Sequence, residues 1–271
     1  KQIIRYNYAR DVGYSNNVRT IGQVMGVYTN YAVTLPDGVD PSSYLYENGI
    51  NCEHIWPQSM YEGSEPMKSD MHHLRPCKDN VNSSRGNNPF GEISDFQTNY
   101  WYWHNIITTN IPSNDIDEYS ESSSSYFEPR EDRKGDIARA VYYFYTMYPS
   151  VSDHNFFEIQ KEQLKIWHEQ DPSNNDEIQR TWAIAAYQQN KPNPYILDET
   201  LILRAYFPDE MMMVGDVNGD FLLNILDVVT MVGYIMGTTN LNPPFDIAAD
   251  MNEDGIVNVL DVVTLVNFIL S

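Results

Sequence analysis

The stretch 51-NCEHIWPQS-59 sets an acid and an imidazole side by side, Glu53 and His54, and is closed by Pro57. Ile50 and Ile55 flank the pair, and a proline has no ladder donor, so the segment reads as a short strand with a polar end. Downstream, 69-SDMHHLRP-76 reads as a second short strand, stopped by Pro76. The stretch 78-KDNVNSSRGN-87 opens with polar capping residues and reads as the start of a helix. Residues 50–88 are therefore expected to run strand, loop, strand, helix.

Three of the six histidines fall in this stretch, His54, His72 and His73, together with Glu53, Asp70, Arg75, Asn82, Arg85 and Asn87. A single histidine is more often a satisfied core or surface residue than a catalytic one. The set as a whole is harder to dismiss. A neutral imidazole can take a proton from water. A carboxylate and an amide oxygen can hold a hard Mg²⁺ that keeps most of its waters. These are the residue types that metal-assisted phosphodiester hydrolysis needs.

The remaining chain divides by composition. All 17 bases lie at or before Arg204, whereas residues 209–271 carry ten acids and no base. The overall net charge is −21, and the step predicts two domains, 1–208 and 209–271. An acidic surface argues against nucleic acid, but binding follows the local field. Residues 53–88, with five acids and four bases, are nearly neutral. No apolar run has the length of a membrane span, and "KQIIRYNYAR" is not a signal peptide. The chain reads as a mature or trimmed product with no membrane contact.

Cys52 and Cys77 are the two cysteines. An extracellular setting favours a disulfide between them, closing a loop of about 25 residues and contributing roughly 3 kcal/mol. Two buried thiols are the alternative.

Residues 21–30 alternate apolar and polar, as strand or helix. Residues 113–132, with "SESSSS", read as a solvated loop. Stretches 134–149, 155–172 and 175–194 carry apolar residues at helical spacing, with proline stops and core aromatics. The first domain is thus α+β and mostly helical.

The second half repeats itself. "GDVNGDFLLNILDVVTMVGYIMG" (215–237) aligns with "ADMNEDGIVNVLDVVTLVNFILS" (249–271), joined by a linker holding Pro243 and Pro244. Asp216, Asn218, Asp220, Asn224 and Asp227, with the Leu222 carbonyl, have the spacing of a loop wrapped round one Ca²⁺. Asp250, Asn252, Asp254, Asn258 and Asp261, with the Ile256 carbonyl, repeat it. Each loop precedes an apolar helix, so up to two Ca²⁺ ions are expected. The sixth position, where the chain turns sharply, is Gly255 in one loop and Phe221 in the other.

With aspartate rather than glutamate last, the pair resembles a dockerin module over about residues 212–271. The resemblance implies a small all-α module of two calcium loop-helix repeats and a protein partner. Cellulosomal dockerins carry small polar residues where this chain has Ile225–Leu226 and Val259–Leu260, which points away from a cellulosomal partner and towards another protein or packing on the first domain.

Residues 1–207 also resemble a family. "EHIWPQS", "SDMHHLRP", "NSSRGNNPFG", "KGDIAR" and "NPYI" are similar, in order, to the motifs of the endonuclease I family. The resemblance implies a secreted or extracellular, sequence-nonspecific nuclease with a ββα-metal (His-Me finger) site. Its substrate would be DNA, with RNA as a further substrate left open, and its products 5′-phosphates. It implies His54 as general base, Glu53 and Asn82 as ligands of Mg²⁺ or Mn²⁺, and His72 in support. The family's phosphate-holding arginine has no counterpart in the loop 57–70; Lys68, Arg75 and Arg85 are the open alternatives for that role, and Arg85 stands with His54 as a catalytic residue. A catalytically inactive binding module, displayed through the calcium-binding tail at a cell surface, is the competing expectation.

Overall fold

The computed structural model describes residues 22–208, 213–242 and 244–271. The chain is mixed helix and sheet and divides into two compact units. The first ends at Glu199, and the second runs Thr200–Ser271. That division lies upstream of the 208/209 step in composition, because compactness follows packing, whereas the step marks only where the bases end.

In the first unit, β1 (Gln23–Met25) pairs antiparallel with β2 (Ala32–Thr34). Helix α1 (Pro41–Glu47) starts where the Asp40 carboxylate accepts from Ser43 N at 2.8 Å. Next, β3 (Ile50–His54) pairs antiparallel with β4 (Leu74–Lys78), and α2 (Asp79–Arg85) follows. The second strand starts later than its sequence suggests. Residues Met71–His73 form a 3₁₀ turn, capped by the Asp70 carboxylate, which accepts from His72 N at 3.1 Å. Pro76 lies inside β4 rather than ending it. A two-stranded ribbon consists of edges, so a residue without an N–H is tolerated there.

The register overturns the disulfide. Asn51 lies opposite Cys77, and Cys52 opposite Pro76. Side chains alternate across a strand, so Cys77 shares a face with Asn51 while Cys52 points to the other. Both residues are thiols. Cys52 packs among Met71, Leu74 and Ile184, and burial pushes the Cys77 thiol well up.

A second sheet has the order β6-β5-β7-β8, built from β5 (Tyr100–Trp103), β6 (Ile106–Thr108), β7 (Ser120–Ser122) and β8 (Phe127–Glu128). Here the solvated-loop reading of 113–132 fails in part, since all three residues of β7 are buried. Each polar side chain of β7 finds a partner. Ser120 Oγ donates to Tyr28 O at 2.7 Å, Ser122 Oγ lies 2.8 Å from the Tyr102 hydroxyl, and the Glu121 carboxylate accepts from Thr98 Oγ1. A polar strand can be buried when it is satisfied in this way.

Helices α3 (Lys134–Met147), α4 (His154–Gln170), α5 (Asn175–Ala185) and α6 (Pro194–Leu197) complete the unit. The expected third helix stops at Ala185, before Gln189 and Asn190 take left-handed φ of 61° and 56°. Residues Lys134–Phe144 of α3 are all buried. Trp56, just past β3, stacks on Phe144 at 4.9 Å and meets Phe156 edge-on at 5.1 Å. These contacts fix the end of β3 against the central helix.

The second unit holds α7 (Leu201–Tyr206), α8 (Ile225–Ile235), α9 (Phe245–Ala248) and α10 (Val259–Leu270). Met231 and Leu265 pack with Val217, Val228 and Ala249 into one small core. Pro243 of the linker lies outside the described residues, and the linker forms the short α9. No helix among the described residues is long and apolar enough to cross a membrane.

Candidate active site and metal-binding loops

Glu53 is buried on β3. Its Oε1 accepts from the Tyr28 hydroxyl at 2.7 Å and lies 3.4 Å from Arg85 Nη1. Burial pushes its carboxyl above the ordinary value, while Arg85 and Tyr28 pull it down. Asn82, half-buried on α2, donates through Nδ2 to Asn51 Oδ1 at 2.8 Å and to Cys52 O at 3.3 Å. These contacts of Asn82 run through its Nδ2, and those of Glu53 with Tyr28 and Arg85 through its Oε1. A carboxylate and an amide oxygen are donors that a hard divalent cation takes.

His54 ends the same strand, and the pleat turns it to the opposite face from Glu53. Its Nε2 is 3.2 Å from Lys68 O, and its ring lies 5.5 Å from that of His73. Donation from Nε2 to a carbonyl leaves Nδ1 as the basic nitrogen. Burial first, then His73, push the imidazole down to about 3, so it is neutral. His73 is anchored likewise, with Nε2 2.7 Å from Met67 O. Consecutive carbonyls of one turn thus orient both rings.

Arg85 corrects an expectation. It is 1% exposed, and its guanidinium donates to His54 O at 3.3 Å and Ile55 O at 2.8 Å, besides facing Glu53. It also lies over the Phe90 ring at 4.6 Å. An arginine so enclosed positions the strand and balances Glu53; it does not meet a substrate phosphate. Arg75 is buried as well, 3.8 Å from Asp136. Lys68 is half-buried. His72 contacts Lys191 O at 2.9 Å and the Tyr143 ring at 4.8 Å, which ties β4 to the segment after α5. Sequence reasoning missed Tyr28, whose reach to Glu53 has no local signal, and the orienting role of His73. The adjacency of His73 to His72 was the available hint.

In the second unit the two loops have matching networks. Asp216 accepts from Gly219 N and Phe221 N, as Asp250 does from Asp254 N and Gly255 N. Asn224 and Asn258 cap α8 and α10 reciprocally with Asp227 and Asp261. Phe221 takes the same left-handed turn as Gly255, φ 63° against 83°, at a local cost of about 1 kcal/mol. Oxygens of Asp216, Asp220 and Asp227 lie within 4.8 Å of one another, a spacing that suits one cation.

A model of the family described as Endonuclease I matches residues 6–199, and one described as dockerin type I domain matches 214–270. The chain is also similar to the extracellular ribonuclease of Bacillus subtilis (strain 168), 28% identical over 54% of this chain and 50% of that protein. The extracellular ribonuclease of Bacillus amyloliquefaciens is 27% identical over the same shares. The chain spans about half the length of the curated relatives it matches.

Proposed function

The chain belongs to the endonuclease I family, and on that premise we propose that it is a secreted, sequence-nonspecific, divalent-metal-dependent nuclease hydrolysing DNA and RNA. The observation that carries this reading is the strand end at Glu53 and His54. His54, oriented by Lys68 O, stands beside a carboxylate, Glu53, and an amide, Asn82, that is tied to the same strand through Asn51 and Cys52. In-line displacement asks for a base beside the attacking water and a cation beside the phosphate and the leaving oxygen.

Mg²⁺ or Mn²⁺ at Glu53 and Asn82, when bound, neutralises charge on the phosphate and the leaving oxygen. His54 Nδ1 takes a proton from water as its oxygen bonds to phosphorus. The bond from phosphorus to the 3′ oxygen breaks, and that oxygen takes a proton from solvent. The ends are a 5′-phosphate and a 3′-hydroxyl. Arg85 and Tyr28 hold the Glu53 carboxylate through Oε1, and Arg85 also donates to the consecutive carbonyls of His54 and Ile55.

The tail is read as a calcium-stabilised adaptor for a protein partner, placing the enzyme outside the cell or at its surface. The match to a dockerin type I domain and the convergent Asp216, Asp220 and Asp227 support this. Ile225, Leu226, Val259 and Leu260 are all exposed, which favours a partner with an apolar face.

Plasmid nicking tests the enzyme reading. Cleavage with Mg²⁺ that stops with EDTA and returns with excess Mg²⁺ is expected. Intact plasmid and intact RNA with metal-loaded protein would leave only the inactive binding module.

A further inference from the structure

Asp70 stands among the polar residues of the stretch 50–88, yet the chemistry above gives it no task. It is 3% exposed. A buried carboxylate is costly unless donors replace its water. Capping the Met71–His73 turn takes one bond, which a serine or an asparagine would supply without a charge. Asp70 does more than cap. Its Oδ1 accepts from His72 N at 3.1 Å and from Gln188 Nε2 at 2.9 Å. Its Oδ2 accepts from the Tyr143 hydroxyl at 3.0 Å and from the Tyr148 hydroxyl at 2.5 Å. Tyr143 belongs to α3, Tyr148 follows its last residue, and Gln188 lies past the end of α5. One side chain thus ties the loop between β3 and β4 to α3, to the end of α3 and to the segment after α5.

The tie falls where the loop meets the candidate base. Asp70 ends the short turn Met67–Ser69, and its N–H donates to Met67 O at 3.2 Å. Met67 O and Lys68 O are the carbonyls that take His73 Nε2 and His54 Nε2, at 2.7 and 3.2 Å. A 3₁₀ turn of this length has poor hydrogen-bond geometry and holds its shape only with outside support. Past Asp70, Met71 N donates to Gln188 Oε1 at 2.7 Å and Met71 O accepts from Arg180 at 3.2 Å, which holds the following turn. On the near side, Lys68 N donates to Ser64 O at 3.0 Å and Ser69 Oγ to Glu65 Oε1 at 2.6 Å. Both of these bonds stay within the loop, so they give no hold on the rest of the fold. The place of Lys68 O, and with it the aim of the His54 ring, therefore leans on Asp70.

We propose that Asp70 is a positioning residue for the general base. Clamped by Tyr143, Tyr148 and Gln188, it fixes the Met67–Ser69 turn, whose carbonyls hold the His54 and His73 rings by their Nε2–H groups. The inference rests on the nuclease reading for the role of His54. A base displaced by about 1 Å costs on the order of a hundredfold in rate, whereas groups that hold the substrate elsewhere are untouched.

The test uses the full chain with Mg²⁺ and Ca²⁺ present. Tyr143→Phe/Tyr148→Phe keeps both rings and removes both hydroxyls from Oδ2; Asp70→Asn removes the charge. Single-turnover cleavage of a labelled DNA duplex is followed across substrate concentration. Proton NMR follows the ring Nε2–H signals of His54, His73 and His168. His168 is held outside this loop, with Nε2 2.8 Å from Glu199 O, and is the internal control. The maximal rate should fall about ten- to a hundredfold while the half-saturating substrate concentration stays within about twofold. The His54 and His73 signals should broaden through exchange with water while that of His168 stays sharp. An unchanged His54 signal and maximal rate in both variants overturn the proposal. So does a weaker half-saturation at an unchanged rate, or an equal loss of all three signals, which marks general loosening. Should Asp70→Asn fail to fold, the double tyrosine variant decides alone. If the wild-type chain cleaves neither DNA nor RNA, the nuclease reading fails; the ring signals still decide whether Asp70 fixes His54.

Discussion

Arg85 is the residue whose meaning changed most between sequence and structure. Read along the chain, it is a cation beside an acid, a base and an amide. In the fold it is sealed, spending its donors on Glu53 and two carbonyls. Removing one partner of a buried pair strands the other charge, at about 3–5 kcal/mol. Arg85→Met is therefore expected to destabilise the protein by that order in urea unfolding; a change near zero would show that Glu53 is not held by Arg85. Glu121 gives a pH prediction. Burial raises its carboxyl to about 7 from 4.5, against the pull of Thr98. The native state then keeps a proton that the unfolded chain releases, so stability falls as pH rises from 4.5 to 7. Glu121→Gln should be more stable than wild type at pH 8, with the gap closing towards pH 4.5. A gap independent of pH would contradict the raised carboxyl. Glu53 and His54 were legible because they are neighbours on one strand. Tyr28 was not, because it reaches Glu53 only through the fold.

At the scale of elements, periodicity served the helices well and the short strands less well. Helices α3 and α4 fall within a residue or two of their expected spans. β7 was hidden because its serines and glutamate look solvated until Tyr28, Tyr102 and Thr98 satisfy them. Pro76 misplaced the end of a strand because edge pairing was not visible in one segment. The β3–β4 register decides the cysteines. Since Cys52 and Cys77 lie on opposite faces, thermal melting should be the same with and without reducing agent. A drop of several degrees on reduction would mean the ribbon is shifted by one residue.

Across the whole molecule, charge and architecture divide the labour. The nearly neutral stretch 53–88 carries the candidate chemistry, while the base-free tail carries the candidate cation loops. Ca²⁺ binds only a folded loop, so it should raise the melting temperature of the tail's transition, by about 2.7 kcal/mol of added stability at a hundredfold excess over Kd. No shift at saturating Ca²⁺ would sink the double-loop reading. The central claim is that His54 is the base while Glu53 and Asn82 hold the cation. Single-turnover cleavage of a labelled oligonucleotide by His54→Ala, beside Mg²⁺ binding by calorimetry, tests it most directly. A loss of about 10²–10⁴-fold in rate with metal affinity preserved is expected. Cleavage at the wild-type rate would contradict it.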